Sequence, residues 1–352
     1  MATRPASREG SEPLSILDPA GPEGRAALAR LLAPALGGAV TVREVVALSG
    51  GANSATWRVE AEVTRGGAAP EVRCVIFQRS AGRGAQGLPR RVQAEVMQRA
   101  GRAGVPVPPV LAIPDDASGL GDSVVTGFVA GEALAPRWLR DERFAEARGA
   151  LAAQCGAALA KLHAVPLSAW ADLPLGGGSG AELLEGMFAT YRRIGVDVPA
   201  FDLAFAWLRP RMPETPPTCL VHGDFRAGNF LVDEGGLAAV LDWELPHLSV
   251  PEEDLGWLCV QAWRFGHWQK PVGGFATRDA LLAAYRAAGG TVEADRLWTW
   301  EVFGNLKWGM SCLQLADDHV SGRVPSVERA AIGRRVSEVA ADLVHAIAKG
   351  DL

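Results

Sequence analysis

The sequence predicts an α+β protein in which strands come first and helices follow. Between residues 40 and 129 several stretches alternate or run apolar at strand length, with Gly, Pro, Asp and Ser collected between them. Beyond about residue 145 apolar residues recur at three- and four-residue steps, the period of helices with one buried face. The chain of 352 residues is long enough for two lobes, each with its own core.

Composition narrows the class. With 48% hydrophobic and 21% charged residues the chain is an ordinary globular protein, and a net charge of −5 leaves no electrostatic footprint for nucleic acid or an anionic membrane. The five cysteines form no CxxC pair, which argues against a disulfide framework or a zinc site and for a reducing compartment. No apolar run reaches membrane-spanning length, and residues 1–15 lack the apolar centre of a signal peptide. The expectation is a cytoplasmic protein with a flexible segment 1–15.

In order along the chain, a short helix is expected over Glu23–Leu32 and a strand over Val40–Leu48. Ser49-Gly50-Gly51-Ala52-Asn53-Ser54 is a glycine-rich turn leading into a second strand, Trp57–Val63. Bare backbone N–H groups in such a turn can approach phosphate oxygens, although no Gly-Lys-Ser/Thr follows and this is not a Walker loop. Val72–Arg79 reads as the third strand, Pro89–Ala100 as a helix, and Val105–Ile113 and Ser123–Val129 as the fourth and fifth strands.

Leu151, Cys155, Leu159 and Leu162 fall on one helical face, and His163 at its end reads as a cap or core histidine. Pro166–Gly180 is a Pro/Gly-rich connection expected to form a mobile flap. Helices are expected at Glu182–Arg193, Leu203–Leu208, Arg278–Ala288, Leu297–Ala316 and Val327–Ala348.

The chemistry concentrates in His222–Glu244, HGDFRAGNFLVDEGGLAAVLDWE. Phe230–Val232 and Leu237–Leu241 are apolar runs separated by Asp-Glu-Gly-Gly, a tight hairpin. The hairpin returns Asp242 to the neighbourhood of Asn229, itself five residues past Asp224. Two carboxylates and an amide oxygen around one volume suit Mg²⁺, which keeps waters and takes one or two carboxylates plus substrate phosphates.

These residues resemble the catalytic loop and metal segment of the aminoglycoside phosphotransferase and choline kinase families, relatives of the protein kinases. His222-Gly223-Asp224 stands where protein kinases carry His-Arg-Asp, and Asp242-Trp243-Glu244 where they carry Asp-Phe-Gly. The resemblance implies a two-lobed protein-kinase-like fold, with a small five-stranded antiparallel N-lobe over residues 16–130 and a mostly helical C-lobe over 131–352. It implies transfer of the γ-phosphoryl group of ATP to a hydroxyl of a small molecule. Asp224 would then be the base, Arg226 would offset phosphate charge, and Asn229 and Asp242 would hold Mg²⁺. ATP would be bound by Ser49, Gly50, Gly51, Asn53 and Ser54 over its phosphates and by Gly127, Phe128 and Val129 at the hinge. The strand-three lysine of such folds is absent. Arg79 or Gln78 stands nearest, with Glu95 at the place of its pairing partner. Asp254 would brace the catalytic loop, and His222 would hold that loop rather than titrate.

Six tryptophans lie beyond Glu244 (Trp257, Trp263, Trp268, Trp298, Trp300 and Trp308), with Arg264 and Lys307 interleaved. Most are expected in the core. If two line the cleft, the acceptor would be a hydroxy acid, acyl or aromatic metabolite rather than a polycation. Glu252 and Glu253 keep an aminoglycoside acceptor as the alternative, and the missing lysine leaves an inactive kinase-like binding protein as another.

Overall fold

Alternating β-branched residues build the first layer. The computed structural model describes residues 16–48, 54–80 and 87–349. The segment 1–15 expected to be flexible, and Ser49, Gly50, Gly51 and Asn53, lie outside the described residues. Helix α1 (Pro22–Leu36) opens on a proline, which loses no intrahelical hydrogen bond there. Strands β1 (Ala39–Leu48), β2 (Ser54–Thr64) and β3 (Glu71–Ser80) form an antiparallel meander. After helix α2 (Arg90–Arg102), strands β4 (Val110–Ala112) and β5 (Ser123–Gly127) complete a five-stranded antiparallel sheet of order β1-β2-β3-β5-β4. One face of this sheet, with Val59, Ala61, Val75, Phe77 and Val125, packs on Leu28 and Leu32 of α1. The fourth strand is shorter than the expected Val105–Ile113, because Pro106, Pro108 and Pro109 have no N–H to give to a ladder.

The remainder is mostly helical: α3 (Ala135–Trp138), α4 (Ala145–His163), α5 (Gly180–Ile194) and α6 (Pro199–Leu208). Four short strands follow, β6 (Cys219–Val221), β7 (Phe230–Asp233), β8 (Gly236–Val240) and β9 (His247–Ser249). Then come α7 (Pro251–Leu258), α8 (Arg278–Ala287), α9 (Leu297–Val320), α10 (Val327–Gly333) and α11 (Val336–Lys349). The face of α4 read from the sequence, Leu151, Cys155, Leu159 and Leu162, is buried in the larger core beneath the short strands. A second core joins α5, α6, α9 and α11. Among the described residues no helix is long and apolar enough to cross a membrane.

Two expectations are corrected. Val327–Ala348 is two helices rather than one. Gly333 seats α10 on α9 so closely that a Cβ there would lie 2.6 Å from Ala316, and the buried Arg329–Asp318 pair at 2.6 Å pulls the same turn inward. Pro166–Gly180 is an anchored segment, not a flap. Trp170 is buried within it, and Gly176 and Gly178 exchange backbone hydrogen bonds with Leu248 at 2.9 and 3.2 Å.

Candidate active site

The catalytic loop hangs between two short ladders. Strand β6 pairs antiparallel with β9, and the chain then turns at Gly223 with φ 77°. A Cβ at Gly223 would meet the Leu245 carbonyl oxygen at 2.3 Å, so glycine is required by both conformation and space. Asp254 of α7 ties this turn down: its carboxylate accepts the backbone N–H of His222 at 2.7 Å and of Gly223 at 2.9 Å. The same carboxylate meets His163 Nε2 at 3.2 Å, and His163 Nδ1 meets the Tyr285 hydroxyl at 3.0 Å. Burial opposes the charge on Asp254, but the hydrogen bond and charge of His163 and the N–H of His222 outweigh it, and its carboxyl sits below the ordinary value. His163 is therefore a core residue, and Asp254 occupies the bracing position read from the sequence.

His222 is fully buried. Its Nδ1 accepts the Asp224 N–H at 3.2 Å, and its Nε2 donates to the Leu241 carbonyl at 3.1 Å. Burial lowers its pKa, so the neutral ring links the loop to the end of β8.

Asp224 is held from three sides. Oδ1 accepts Arg226 Nε and Trp257 Nε1, each at 2.9 Å, and Oδ2 accepts Asn229 Nδ2 at 2.6 Å. The Arg226 guanidinium also lies over the Trp263 ring, 4.7 Å from its centroid. The β7–β8 hairpin closes as expected, and the Leu241 N–H donates to the Asn229 carbonyl at 2.8 Å, which sets Asp242 beside the loop. Asp242 takes φ 63°, an uncommon conformation for a side chain with a Cβ. Its carboxyl is pushed up to about 7, first by burial and then by the charges of Glu244 and Asp224, with Arg226 and Arg90 pulling partly the other way.

Such a pent-up negative charge fits a divalent cation. With Nδ2 of Asn229 committed to Asp224, its oxygen is the atom left for a metal. No group of three or more His, Cys, Asp or Glu side chains that could hold a metal occurs among the described residues. Asp242 and the Asn229 oxygen would offer one carboxylate and one amide, a set that could suit an ion completing its shell with water and phosphate oxygens.

The nucleotide-side residues divide. Ser54 opens β2 opposite Ser80, and Gly127 closes β5 with its N–H on the Pro109 carbonyl at 2.8 Å. Phe128 is exposed, and its N–H reaches the Cys74 carbonyl at 3.4 Å; Val129 follows, half-buried. Arg79 is displaced from the role read for it. It alternates with Phe77 onto the α1 face, gives Nη1 to the Leu17 carbonyl at 2.8 Å, and stacks over Trp57 at 5.1 Å. Glu95 is paired at 3.6 Å with Arg99 of its own helix, while the buried face of α2 carries Arg90 and Gln93. The pairing Glu is therefore not brought to β3 by these contacts.

Sequence reasoning missed the hold that Trp257 and Lys307 have on the site. Lys307 Nζ donates to the Gly223 carbonyl at 3.0 Å and to Glu253 at 2.9 Å, and lies over the Trp257 ring at 4.8 Å. The Asp254-x-x-Trp257 spacing was the available signal, since residues three apart share a helix face. Arg264, interleaved with the tryptophans in the sequence, is buried against Glu301 at 2.7 Å.

Residues 44–297, more than half of the chain, match the model of the phosphotransferase enzyme family (APH). A mouse protein, acyl-CoA dehydrogenase family member 10, is 30% identical over 176 residues; the match covers 47% of this chain and 16% of that protein. The fold is similar to that of a Ralstonia eutropha protein proposed to be an aminoglycoside phosphotransferase (TM-score 0.67, 21% identity, 90% of this chain and 95% of that one). It is also similar to spectinomycin phosphotransferase in complex with ADP and spectinomycin (TM-score 0.60, 16% identity, 90% and 96%). A macrolide 2′-phosphotransferase from Brachybacterium faecium matches likewise (TM-score 0.56, 17% identity, 87% and 97%). By the extent of the family match, and with the two-lobed kinase-like architecture already in view, this chain belongs to the phosphotransferase enzyme family.

Proposed function

We propose that the protein transfers the γ-phosphoryl group of ATP to a hydroxyl of a small, weakly polar molecule, with Asp224 as the base. The observation that carries this reading is the grip on Asp224: Arg226, Trp257 and Asn229 together fix both carboxylate oxygens beside Asp242. A base so fixed can orient an acceptor hydroxyl and take its proton as the phosphoryl group arrives. Asp242 and the Asn229 oxygen would hold Mg²⁺, which neutralises phosphate charge when bound. Arg226, partly exposed beside the base, is placed to offset charge on the transferring group.

For the acceptor, the acidic side chains that would suit a polycation are not surface groups. Glu252 and Glu253 are both buried: Glu252 accepts the Glu293 N–H at 2.8 Å, and Glu253 is paired with His247 and Lys307. Trp268, by contrast, is 60% exposed. A relative named for acyl-CoA chemistry is in keeping with a hydroxy acid or acyl acceptor. The test is ADP release from MgATP over a panel of hydroxy acids, hydroxyacyl and aromatic alcohols, and aminoglycosides. Turnover on the less polar hydroxy compounds and little on kanamycin is expected. Efficient phosphorylation of kanamycin with the hydroxy compounds inert would reverse the assignment.

A further inference from the structure

With Arg79 turned to the α1 face, its neighbour Gln78 alternates to the opposite face of β3 and carries no charge. No basic residue of β3 between Val75 and Ser80 is then left for the phosphates. A different guanidinium stands nearby. Arg90 opens α2 and is only 5% exposed. Nη1 donates to Gln93 Oε1 at 2.8 Å, while Nε is buried without a hydrogen-bond partner among the described residues, and no carboxylate there lies within ion-pair distance of it. A buried guanidinium answered by one neutral amide is an expensive arrangement unless an anion completes it.

Its position is tied to the metal segment. The Leu88 N–H donates to the Glu244 carbonyl at 3.2 Å, and Gln93 Nε2 donates to the Leu88 carbonyl at 2.6 Å. The Arg90 N–H donates to Asp122 Oδ1 at 2.9 Å, and Asp122 Oδ2 accepts the Ser80 hydroxyl at 2.6 Å. The start of α2, the end of β3 and the Asp242–Glu244 turn thus meet at one place.

We propose that Arg90 is the cation that binds the nucleotide's terminal phosphates above Asp242, replacing a basic residue on β3. The inference rests on the nucleotide-dependent reading above. A planar guanidinium presents paired donors that match two phosphate oxygens, and the phosphate supplies the anion that Arg90 lacks.

The experiment compares binding of MgATP and of adenosine by the parent protein, Arg90→Met, Arg90→Lys and Arg79→Met, with melting curves for each. Arg90→Met is expected to weaken MgATP by at least about tenfold and adenosine by less than about twofold, since charge-assisted bonds to phosphate are lost and the base pocket is untouched. Arg79→Met is expected to leave MgATP within roughly threefold of the parent, because its side chain points away. Unchanged MgATP affinity in a folded Arg90→Met overturns the proposal while the nucleotide reading stands. Should Arg90→Met not fold, Arg90→Lys decides. It keeps the charge but not the fork, and a loss of MgATP affinity of roughly threefold or more with adenosine unaffected supports the role, whereas parental affinity for both overturns it. A parent protein that binds neither ligand overturns the nucleotide reading, and this inference with it.

Discussion

The indole N–H of Trp257 donates to Asp224 Oδ1 at 2.9 Å, so a helix that never touches the loop's backbone through this residue still sets the direction of its carboxylate. Trp257 itself packs against the tilted Trp263 ring, 5.2 Å between centroids, and carries the Lys307 ammonium over its own ring. Its ring has little freedom to deviate. Replacing it with Phe keeps the packing and removes the donor. A hydrogen bond to a charged group contributes about 1.5–3 kcal/mol, so Trp257→Phe is expected to lower kcat by roughly tenfold or more. The KM for ATP should stay within about twofold, because the lost contact is to the proposed base and not to a residue proposed to bind nucleotide. Equal losses in kcat and in ATP binding would show that Trp257 only supports the fold.

Asp224→Asn keeps the size of the base but removes its charge and turns one accepting oxygen into a donor. It is expected to reduce phosphoryl transfer by about 10²–10⁴-fold, the usual contribution of a positioned base, with nucleotide binding retained. Single-turnover kinetics check this, and turnover within about tenfold of the parent would remove Asp224 from that role.

Asp242 carries a pH signature. Its carboxyl ionises near 7 in the folded chain against 3.8 as its ordinary value, so between those pH values the folded state holds a proton that the unfolded state has lost. Stability of the metal-free protein therefore falls as pH rises across that window. Asp242→Asn should raise Tm at pH 8, by roughly 2–4 °C for each kcal/mol relieved, and change it little at pH 4. Magnesium should stabilise the parent at pH 8 and lose that effect in the variant. Melting curves with and without Mg²⁺ at the two pH values test both statements.

Asp254 behaves in the opposite sense. Its folded pKa is depressed, so its contribution is present above the unfolded value of about 3.9 and is lost as pH falls through the folded value. Removing it strands two N–H groups of the loop and the His163 ring. Asp254→Ala is expected to cost about 3–5 kcal/mol, as for one partner taken from a buried charged network. Denaturant titration at pH 7 gives that difference, and a loss below about 1 kcal/mol would show that water replaces the carboxylate.

The sequence by itself determined the order of strands and helices and the local constellation of Asp224, Asn229 and Asp242. The reason is their separation: each lies within a few residues of a turn whose chemistry is written in adjacent letters, Gly223 at one end and the Asp-Glu-Gly-Gly hairpin between the others. The α4 face was legible for the same kind of reason, a period of a single element. Tertiary structure alone decided which long side chains reach the site. Arg79 and Gln78 differ by one position on a strand, and which of them faces α1 depends on the register of β3 against β2 and on where Trp57 lies. The carboxylates Glu252 and Glu253, which in the sequence keep an aminoglycoside acceptor open, are buried, because α7 packs beneath the loop and gives Glu253 partners from β9 and α9 and Glu252 the Glu293 N–H. Trp257 and Asp224 are 33 residues apart in the chain, and Leu88 is further still from Glu244. No local pattern encodes contacts across such distances; they exist because the cores bring α2, α7 and the β7–β8 hairpin to one place.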